Sequence, residues 1–583
     1  MNPSTNRGEG TSSTSDPNLT KSKDNQSSSS AAQHEQPGDD PDDSPQPTAG
    51  TSEGTLGFWA IMVGLWLAAI VSALDGSVVS TALPTIVREI GLGANYVWAA
   101  NIYFLTTAAF PPFFGQLADL FGRRWLFIGT VAIFVLGSGL CAGAENPATF
   151  IAARGVQGLG GGGINMLLDL IVCDLVPLKD RGKYMGLLFG IATLAAAVGP
   201  LIGGALTSAG AWRWVFWINL PIGGLCIVIS GFSLKVKHAK QGDWLQRLGR
   251  IDWVGTIILV GSTVSVLWAL AYGGSLEPFS NHTIIATLVV GLVGLGLFVD
   301  WEATPLCKTP QVPLRLFSNR TSSVGFVLTF SNTLLAIWVV YMFPVYLQAV
   351  RGYSALWSGV WLLPYVLAFP FASAIGGNVM AKTGRYKPIH LIGFAFCTLA
   401  CGLCALLNRS SHGALIVFFQ IFWSIGIATP IACLLTAVQA DLTEKDNAAS
   451  TGTWAFIRSY GTIWGVTIPA AIFNNRFDQL LDTIDDPSAR SLLSNGQAYA
   501  GASSGLTDMF PRVVRDQILN VYTLSLQRVW QLGAIFAGLS FLVAFLEREI
   551  KLRDEVNTDF AMENAAKKDT INETESGATL ALG

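Results

Sequence analysis

Two ionisable residues stand inside long apolar runs of this chain, and they are the first candidates for chemistry. Asp75 lies in "LDGSVVSTALP", about 27 Å along an apolar helix starting near residue 57, and Arg154 opens "RGVQGLGGGG", about 9 Å into another. Charges within apolar spans are costly to keep and are functional candidates for that reason. Three readings stand for Asp75: it exchanges protons as its access alternates between the two sides, it forms a static ion pair with Arg154, or it caps a structure facing water. Arg154 reads either as the partner in that exchange or as a structural anchor. Arg458, near the middle of a later apolar run, would meet an anionic substrate or bond carbonyls, while Asp169 falls near the inner edge and reads as structural.

A second cluster is short and charged. "GQLADLFGRR", Gly115 to Arg124, interrupts two apolar runs with one aspartate and two arginines. Gly115 and Gly122 allow a tight turn and close approach of two helix ends. Asp119 and Arg123 are four apart, the spacing that pairs charges on one helical turn. Taken alone, the stretch could also be ordinary basic decoration of an inner loop.

The elements that must position these residues are membrane spans. Of the 583 residues 51% are hydrophobic and 13% charged, and the mean hydropathy is +0.46, against about 25% charged in soluble domains. The net charge of −3 gives no basic field for nucleic acid. Apolar runs of about 20 residues, enough to cross a bilayer, occur near 57–83, 95–117, 125–144, 148–172, 183–206, 214–234, 251–272, 283–301, 321–347, 355–379, 388–407, 413–436, 448–473 and 529–547. The expectation is therefore an all-α integral membrane protein of fourteen transmembrane helices.

Basic residues set the orientation. With the N-terminus inside, inner loops collect Arg123, Arg124, Lys179, Arg181, Lys382, Arg385, Lys387 and Lys445 among others, whereas the short outer loops hold Arg88, Arg213, Arg351 and Arg409. Both tails are then cytoplasmic, and no cleaved signal peptide opens the chain. The division expected is 1–55 a disordered tail, 56–234 a six-helix bundle, 235–320 a linker with two extra helices, 321–550 a second six-helix bundle including an outside loop 474–528, and 551–583 a second tail. Within that loop "FPRVVRDQILNVYTLSLQRVW" alternates like an amphipathic helix on the membrane surface. Asn281 and Asn408 are glycosylation sequons that lie too near the membrane to be used well.

Four stretches together resemble the signature set of the major facilitator superfamily: the loop above, the span 4 arginine, "LDGSVVSTALP", and the span 5 run "GLLFGIATLAAAVGPLIGG". That last run carries Gly186, Gly199, Pro200, Gly203 and Gly204, the antiporter motif of the family. The fourteen spans, Asp75 with "ALP", and "WRWVFWINLPIGG" resemble its drug:proton antiporter subfamily. "IDWVG", "VPLRLFSNR" and "YLQAVRGYSALWSGVWLLP" resemble its fungal toxin and multidrug exporters. The resemblance implies two six-helix bundles with two extra central helices and transport by alternating access. It further implies a cytoplasmic gate in which Asp119 caps a helix of the opposite half and Arg123 pairs with Asp174. "GGNVMAKTGRYKP" looks like a second, decayed copy of that loop, as a parallel repeat would leave.

On this reading the protein exports small amphipathic organic compounds by proton antiport, as a monomer in the cell membrane, the vacuolar membrane being the alternative location. Proton-coupled import of a siderophore or another small solute is the alternative function. Asn101, Tyr103, Gln157, Asn332, Tyr341, Gln348, Gln420, Trp423 and Arg458 are candidates for the substrate cavity, or equally for packing and interface anchoring. No cofactor is called for, since the proton gradient supplies the energy. "GVQGLGGGG" lacks the strand and the lysine of a phosphate loop, so an ATP-driven pump is disfavoured, and close helix packing explains its glycines. The five histidines fall in tails, loops or a span edge, so no intramembrane enzyme site assembles. Seven of the eight cysteines lie in apolar runs, Cys307 excepted, and read as small core residues. His390, Cys397, Cys401 and Cys404 share one face but lack a carboxylate, and no metal site is expected.

Overall fold

A computed structural model of the chain describes residues 56–91, 96–234, 244–273, 280–494, 498 and 509–553. The expectations for tail 1–55, for 554–583 and for the middle of the 474–528 connection lie outside them. The described elements are helices: α1 (Leu56–Ile90), α2 (Tyr96–Ala109), α3 (Pro111–Phe121), α4 (Arg123–Ala142), α5 (Pro147–Leu175), α6 (Arg181–Ser208), α7 (Trp214–Trp217), α8 (Asn219–Ser233) and α9 (Trp244–Leu248). Then follow α10 (Trp253–Tyr272), α11 (His282–Ala303), α12 (Arg320–Val345), α13 (Ala355–Thr383), α14 (Lys387–Cys404), α15 (Gly413–Gln439), α16 (Asn447–Leu480), α17 (Pro487–Leu493) and α18 (Arg512–Ala544).

Local chemistry sets many of the helix starts. Asn146 accepts a hydrogen bond from Thr149 N at 2.9 Å, with Pro147 at the first helical position of α5. Asn319 caps α12 through Ser322 N at 2.8 Å, and Asp252 caps α10 through Gly255 N at 2.9 Å. Gly122 between α3 and α4 has φ 85°, and Gly384 between α13 and α14 has φ 65°. Both matching loops thus turn on a glycine in a region that side chains avoid.

Twelve helical stretches among the described residues are long and apolar enough to cross a membrane. Two of the fourteen expected spans take another form. The second divides at Phe110 into α2, 14 residues, and α3, 11 residues, because Pro111 and Pro112 cannot donate to the preceding turn. The thirteenth, α16, is 34 residues long, but within 448–473 it carries Arg458 among Ser450, Thr451, Thr453, Ser459, Tyr460, Thr462 and Thr467, so its apolar character is diluted.

The expected surface helix before the last span is corrected. Arg512–Ala544 is one continuous helix of 33 residues. Its Ile518, Val521, Tyr522, Leu526 and Val529 are buried against protein rather than laid on a membrane. Tyr522 packs on Phe473 and Phe477 and donates to Ala498 O at 2.6 Å. Likewise α16 runs on to Leu480, past the point where the outside connection was expected to begin. At the other end, the first residues of the expected C-terminal tail are docked. Lys179 N donates to Arg553 O at 3.3 Å, and Arg553 donates to Leu442 O at 2.7 Å.

Helices α1 to α8 pack chiefly on one another: α1 on α6 and α8, α5 on α2 and α4. In the C-terminal part, α15 packs on α12, α13 and α14, and α18 on α14 and α16. The central pair α10 and α11 lie together, with α10 touching α2 and α16. The two larger groups meet where α6 crosses α13 and α3 meets α16. The end of the bundle at which α4, α6, α12, α14 and α16 begin carries Arg123, Arg181, Arg320 and Lys387, and is called the basic end below.

Candidate functional site

Asp75 and Arg154, the two charges read first, form a buried ion pair. Arg154 donates to Asp75 Oδ2 at 2.7 Å, and the two residues are 1% and 0% exposed. Gln157, one turn along α5, accepts from Arg154 at 2.6 Å and donates to Asp75 Oδ1 at 2.8 Å. Asn219 of α8 donates to the same oxygen at 2.9 Å. Ser138 of α4 accepts from both amides, at 2.6 Å from Gln157 and 3.1 Å from Asn219. The Tyr103 ring lies 4.3 Å from the Arg154 guanidinium carbon, a cation–π distance, and its hydroxyl bonds Ser72 O. Five helices therefore meet in one network, and three donors from α5 and α8 reach the two oxygens of Asp75. Asn219 and Ser138 were not singled out in the sequence, where a neutral polar residue in an apolar run carries little signal.

A second ion pair crosses between the two groups of helices. Arg458 of α16 donates to Asp169 of α5 at 3.0 Å while lying over the rings of Trp454 and Phe189. Nearer the basic end, Arg181 is 2% exposed and donates to Gln439 of α15 at 2.8 Å. Gln439 in turn donates to Ser450 and Thr451 of α16, at 3.1 and 3.0 Å. Arg181 was read from the sequence only as a basic loop residue.

Alongside these bonds a row of glycines seals α6 to α13. A Cβ on Gly186 would lie 2.6 Å from Ser373 O, and one on Gly190 would lie 2.7 Å from Pro370 Cβ. Gly182 and Gly377 meet backbone to backbone. Of the other span 5 residues, Gly199 packs against Ser77 of α1, Pro200 sits within α6, Gly203 is buried, and Gly204 has open space. The motif therefore divides between two faces of one helix.

The expected gate residues gather at the basic end. Arg123, 3% exposed, donates to Asp174 Oδ2 at 2.8 Å and to Ala118 O at 2.7 Å. Asp119 lies 3.2 Å from the same guanidinium. Among the described residues no hydrogen bond joins Asp119 to the start of α16. What meets α16 there is Gly115, where a Cβ would lie 3.0 Å from Ala448 O. The capping that the resemblance implies for Asp119 is thus not formed in this conformation, and the close approach of bare backbone takes its place.

The comparisons with known proteins bear on this architecture. The model of the Major Facilitator Superfamily matches residues 65–466. The chain belongs to the major facilitator superfamily. The MFS-type efflux transporter pyiT of Pyricularia grisea is 47% identical over 90% of this chain and 91% of its own length. The MFS-type efflux transporter ffsH of Aspergillus flavipes is 46% identical over 90% of each chain. Among solved structures, the human organic anion transporter MFSD10 superposes with TM-score 0.52 at 15% identity, covering 83% of this chain and 99% of that one. The proton:xylose symporter XylE gives TM-score 0.50 at 13% identity, covering 85% and 98%. At such identities the structures attest the fold alone. Members of this superfamily are transporters, so the chain is a transporter and not an enzyme.

Within this superfamily fold, the residues expected to line a cavity do not assemble as one site. Gln157 and Tyr103 belong to the Asp75 network, and Arg458 is engaged by Asp169. Gln420 donates to Trp361 O at 2.7 Å, Asn332 to Ile427 O at 3.1 Å, and Gln348 to Ser358 Oγ at 3.0 Å. Trp423 is fully buried against Trp530. Asn101 is half-buried on α2, and Tyr341 is exposed on α12. A cavity of about 770 Å³ lies elsewhere, between α16 and α18. Asn281 caps α11, and Asn408 accepts from Ser410 and Ser411 in an exposed loop. His390 pairs with Glu547 at 2.9 Å, a carboxylate absent from its own helix face, while Cys397, Cys401 and Cys404 are buried free thiols.

Proposed function

We propose that this transporter exports small amphipathic organic compounds, a secondary metabolite, toxin or drug, in exchange for protons. The observation that carries the coupling is the sealed Asp75–Arg154–Gln157–Asn219 network. Truncating one partner of a buried ion pair costs about 3–5 kcal/mol, so such a pair is a two-state element whose balance a proton changes strongly. A proton arriving on Asp75 would set a hydrogen against three donors and release Arg154 to reorient. The direction of transport rests on the relatives, which are named efflux transporters.

On this reading the broken α2–α3 and the polar α16 complete fourteen spans, with both tails and the basic end cytoplasmic. Two six-helix halves then flank the pair α10 and α11. The conformation described is closed on the cytoplasmic side by Asp169–Arg458, Arg181–Gln439 and the glycine seam, and these contacts part when the transporter opens inward. Arg123, Asp174 and Asp119 hold the turn from which that closure is hung. Cells expressing or lacking the protein, loaded with a panel of fluorescent amphipathic compounds, test the direction. Lower retention in expressing cells is expected, and higher retention would make the protein an importer.

A further inference from the structure

The N-terminus of α10 and the C-terminus of α11 hold a cluster that none of the transport contacts uses. Asp252, Glu302 and Cys307 bring their ligand atoms within 4.8 Å of one another. Asp252 is 8% exposed and Glu302 6%. Every donor that reaches the two carboxylates among the described residues is neutral. Asp252 Oδ1 accepts from Gly255 N at 2.9 Å and Trp301 Nε1 at 3.0 Å. The Glu302 oxygens accept from Gln311 N at 3.2 Å and Val312 N at 3.3 Å.

One oxygen is left over. Asp252 Oδ2 is buried and has no hydrogen-bond partner, although its twin oxygen has two. It faces the bare Cα of Gly255, where a Cβ would collide with it and lie 3.2 Å from Glu302 Oε1. The unsatisfied oxygen and the second carboxylate therefore lie on the same side of Gly255. Gln311, 2% exposed, is held there by Nε2, which donates to Asp252 O at 2.8 Å and Thr256 Oγ1 at 2.5 Å, and its Oε1 is likewise buried without a partner. The two carboxyls and the thiol thus crowd together, and among the described residues no positive group is bonded to them.

We propose that Asp252, Glu302 and Cys307 form a binding site for a divalent metal ion of the zinc class. Thiolate and carboxylate oxygen are zinc ligands, and a structural site takes four donors in a tetrahedron, the fourth here being Gln311 Oε1 or a water. The backbone and indole donors to the remaining carboxylate oxygens fix the ligands in orientation. Cys307 alone among the eight cysteines is not buried, so it can be reached by an ion from the aqueous side. The site would clasp the two central helices at the basic end. It also bears on α3, because Gln116 donates to Thr309 O at 2.7 Å and accepts from Asp252 N at 3.1 Å.

The test uses the full chain purified without a histidine tag, stripped with chelator and titrated with Zn²⁺ or Co²⁺. One equivalent of zinc is expected to bind to the wild type and be lost in Cys307→Ser, with cobalt giving a sulfur-to-metal charge-transfer band only when Cys307 is present. Zinc should slow maleimide labelling of Cys307 and raise the melting temperature of the wild type but not of Cys307→Ser. Asp252→Asn keeps a capping side chain and should weaken zinc binding at least tenfold. Equal zinc binding by wild type and Cys307→Ser, or unchanged labelling with zinc, would overturn the proposal and leave a proton shared between the two carboxyls as what neutralises the cluster.

Discussion

Asp169 and Arg458 stand 289 positions apart in the chain and meet at 3.0 Å between α5 and α16. The aspartate side chain is 2% exposed and the arginine 17%, so the pair is shielded on one side and reachable on the other. It ties the first group of helices to the last, with the guanidinium lying over the rings of Trp454 and Phe189. In the proposed transport cycle this bond is made in one conformation and given up in another.

Asp169→Asn and Arg458→Gln should each lower transport at least tenfold while the protein reaches the membrane in normal amount. Efflux assays beside fluorescence-detected size exclusion measure the two separately. Because the contact is charge-to-charge, the double exchange Asp169→Arg with Arg458→Asp should recover part of the activity. Exchange no better than either single change would show that the two residues act apart.

The glycine seam gives a steric version of the same test. Gly186→Val adds a branched side chain where Ser373 O already lies 2.6 Å from a Cβ position. Overpacking of this sort costs about 1–3 kcal/mol, charged entirely to the closed conformation. The variant should fold and fail to close, read as faster labelling of a cysteine placed at Ser373, which is fully buried in the closed seam. Gly204→Val, at a position with open space, should transport normally.

Sequence patterning made the helices and the two charge clusters legible, because charge in an apolar run is rare and local spacing brings Asp119 to Arg123. Depth was legible too: the helical rise puts Asp75 and Arg154 toward the same end, and they meet. What spacing does not carry is the face of each helix. Asn219, Ser138, Gln439 and the buried Arg181 became visible only when α4, α8, α15 and α6 were packed. The cavity residues failed to gather for the same reason, since Gln420 and Trp423 turn inward among the C-terminal helices. The proline pair at 111–112 was the one sign that the second span would break.

At the basic end, Arg123→Ala should abolish transport and also loosen the α3–α4 turn, since the guanidinium holds both Asp174 and Ala118 O. Arg123→Lys keeps the charge but cannot form both bonds with one planar fork. It should restore abundance and leave transport several-fold below wild type. Full recovery by lysine would reduce the role of Arg123 to charge alone.

Asn219 offers a way to disturb the proposed coupling site without touching a charge. Asn219→Leu leaves Asp75 Oδ1 with one donor and Ser138 with one fewer, a loss of about 1–3 kcal/mol. The pH at which transport is half-maximal should shift while the maximum rate stays within a few-fold of wild type. An unchanged pH profile would place Asn219 in packing only.

The role of Asp75 is decided by uphill transport. Asp75→Asn keeps size and hydrogen-bonding capacity and removes the charge that Arg154 meets at 2.7 Å. In reconstituted vesicles with an imposed pH gradient, the wild type should accumulate substrate against its concentration. The variant should catalyse only downhill exchange, at a rate that shows it is folded and able to bind. Uphill accumulation by Asp75→Asn at the wild-type rate would contradict proton coupling through Asp75.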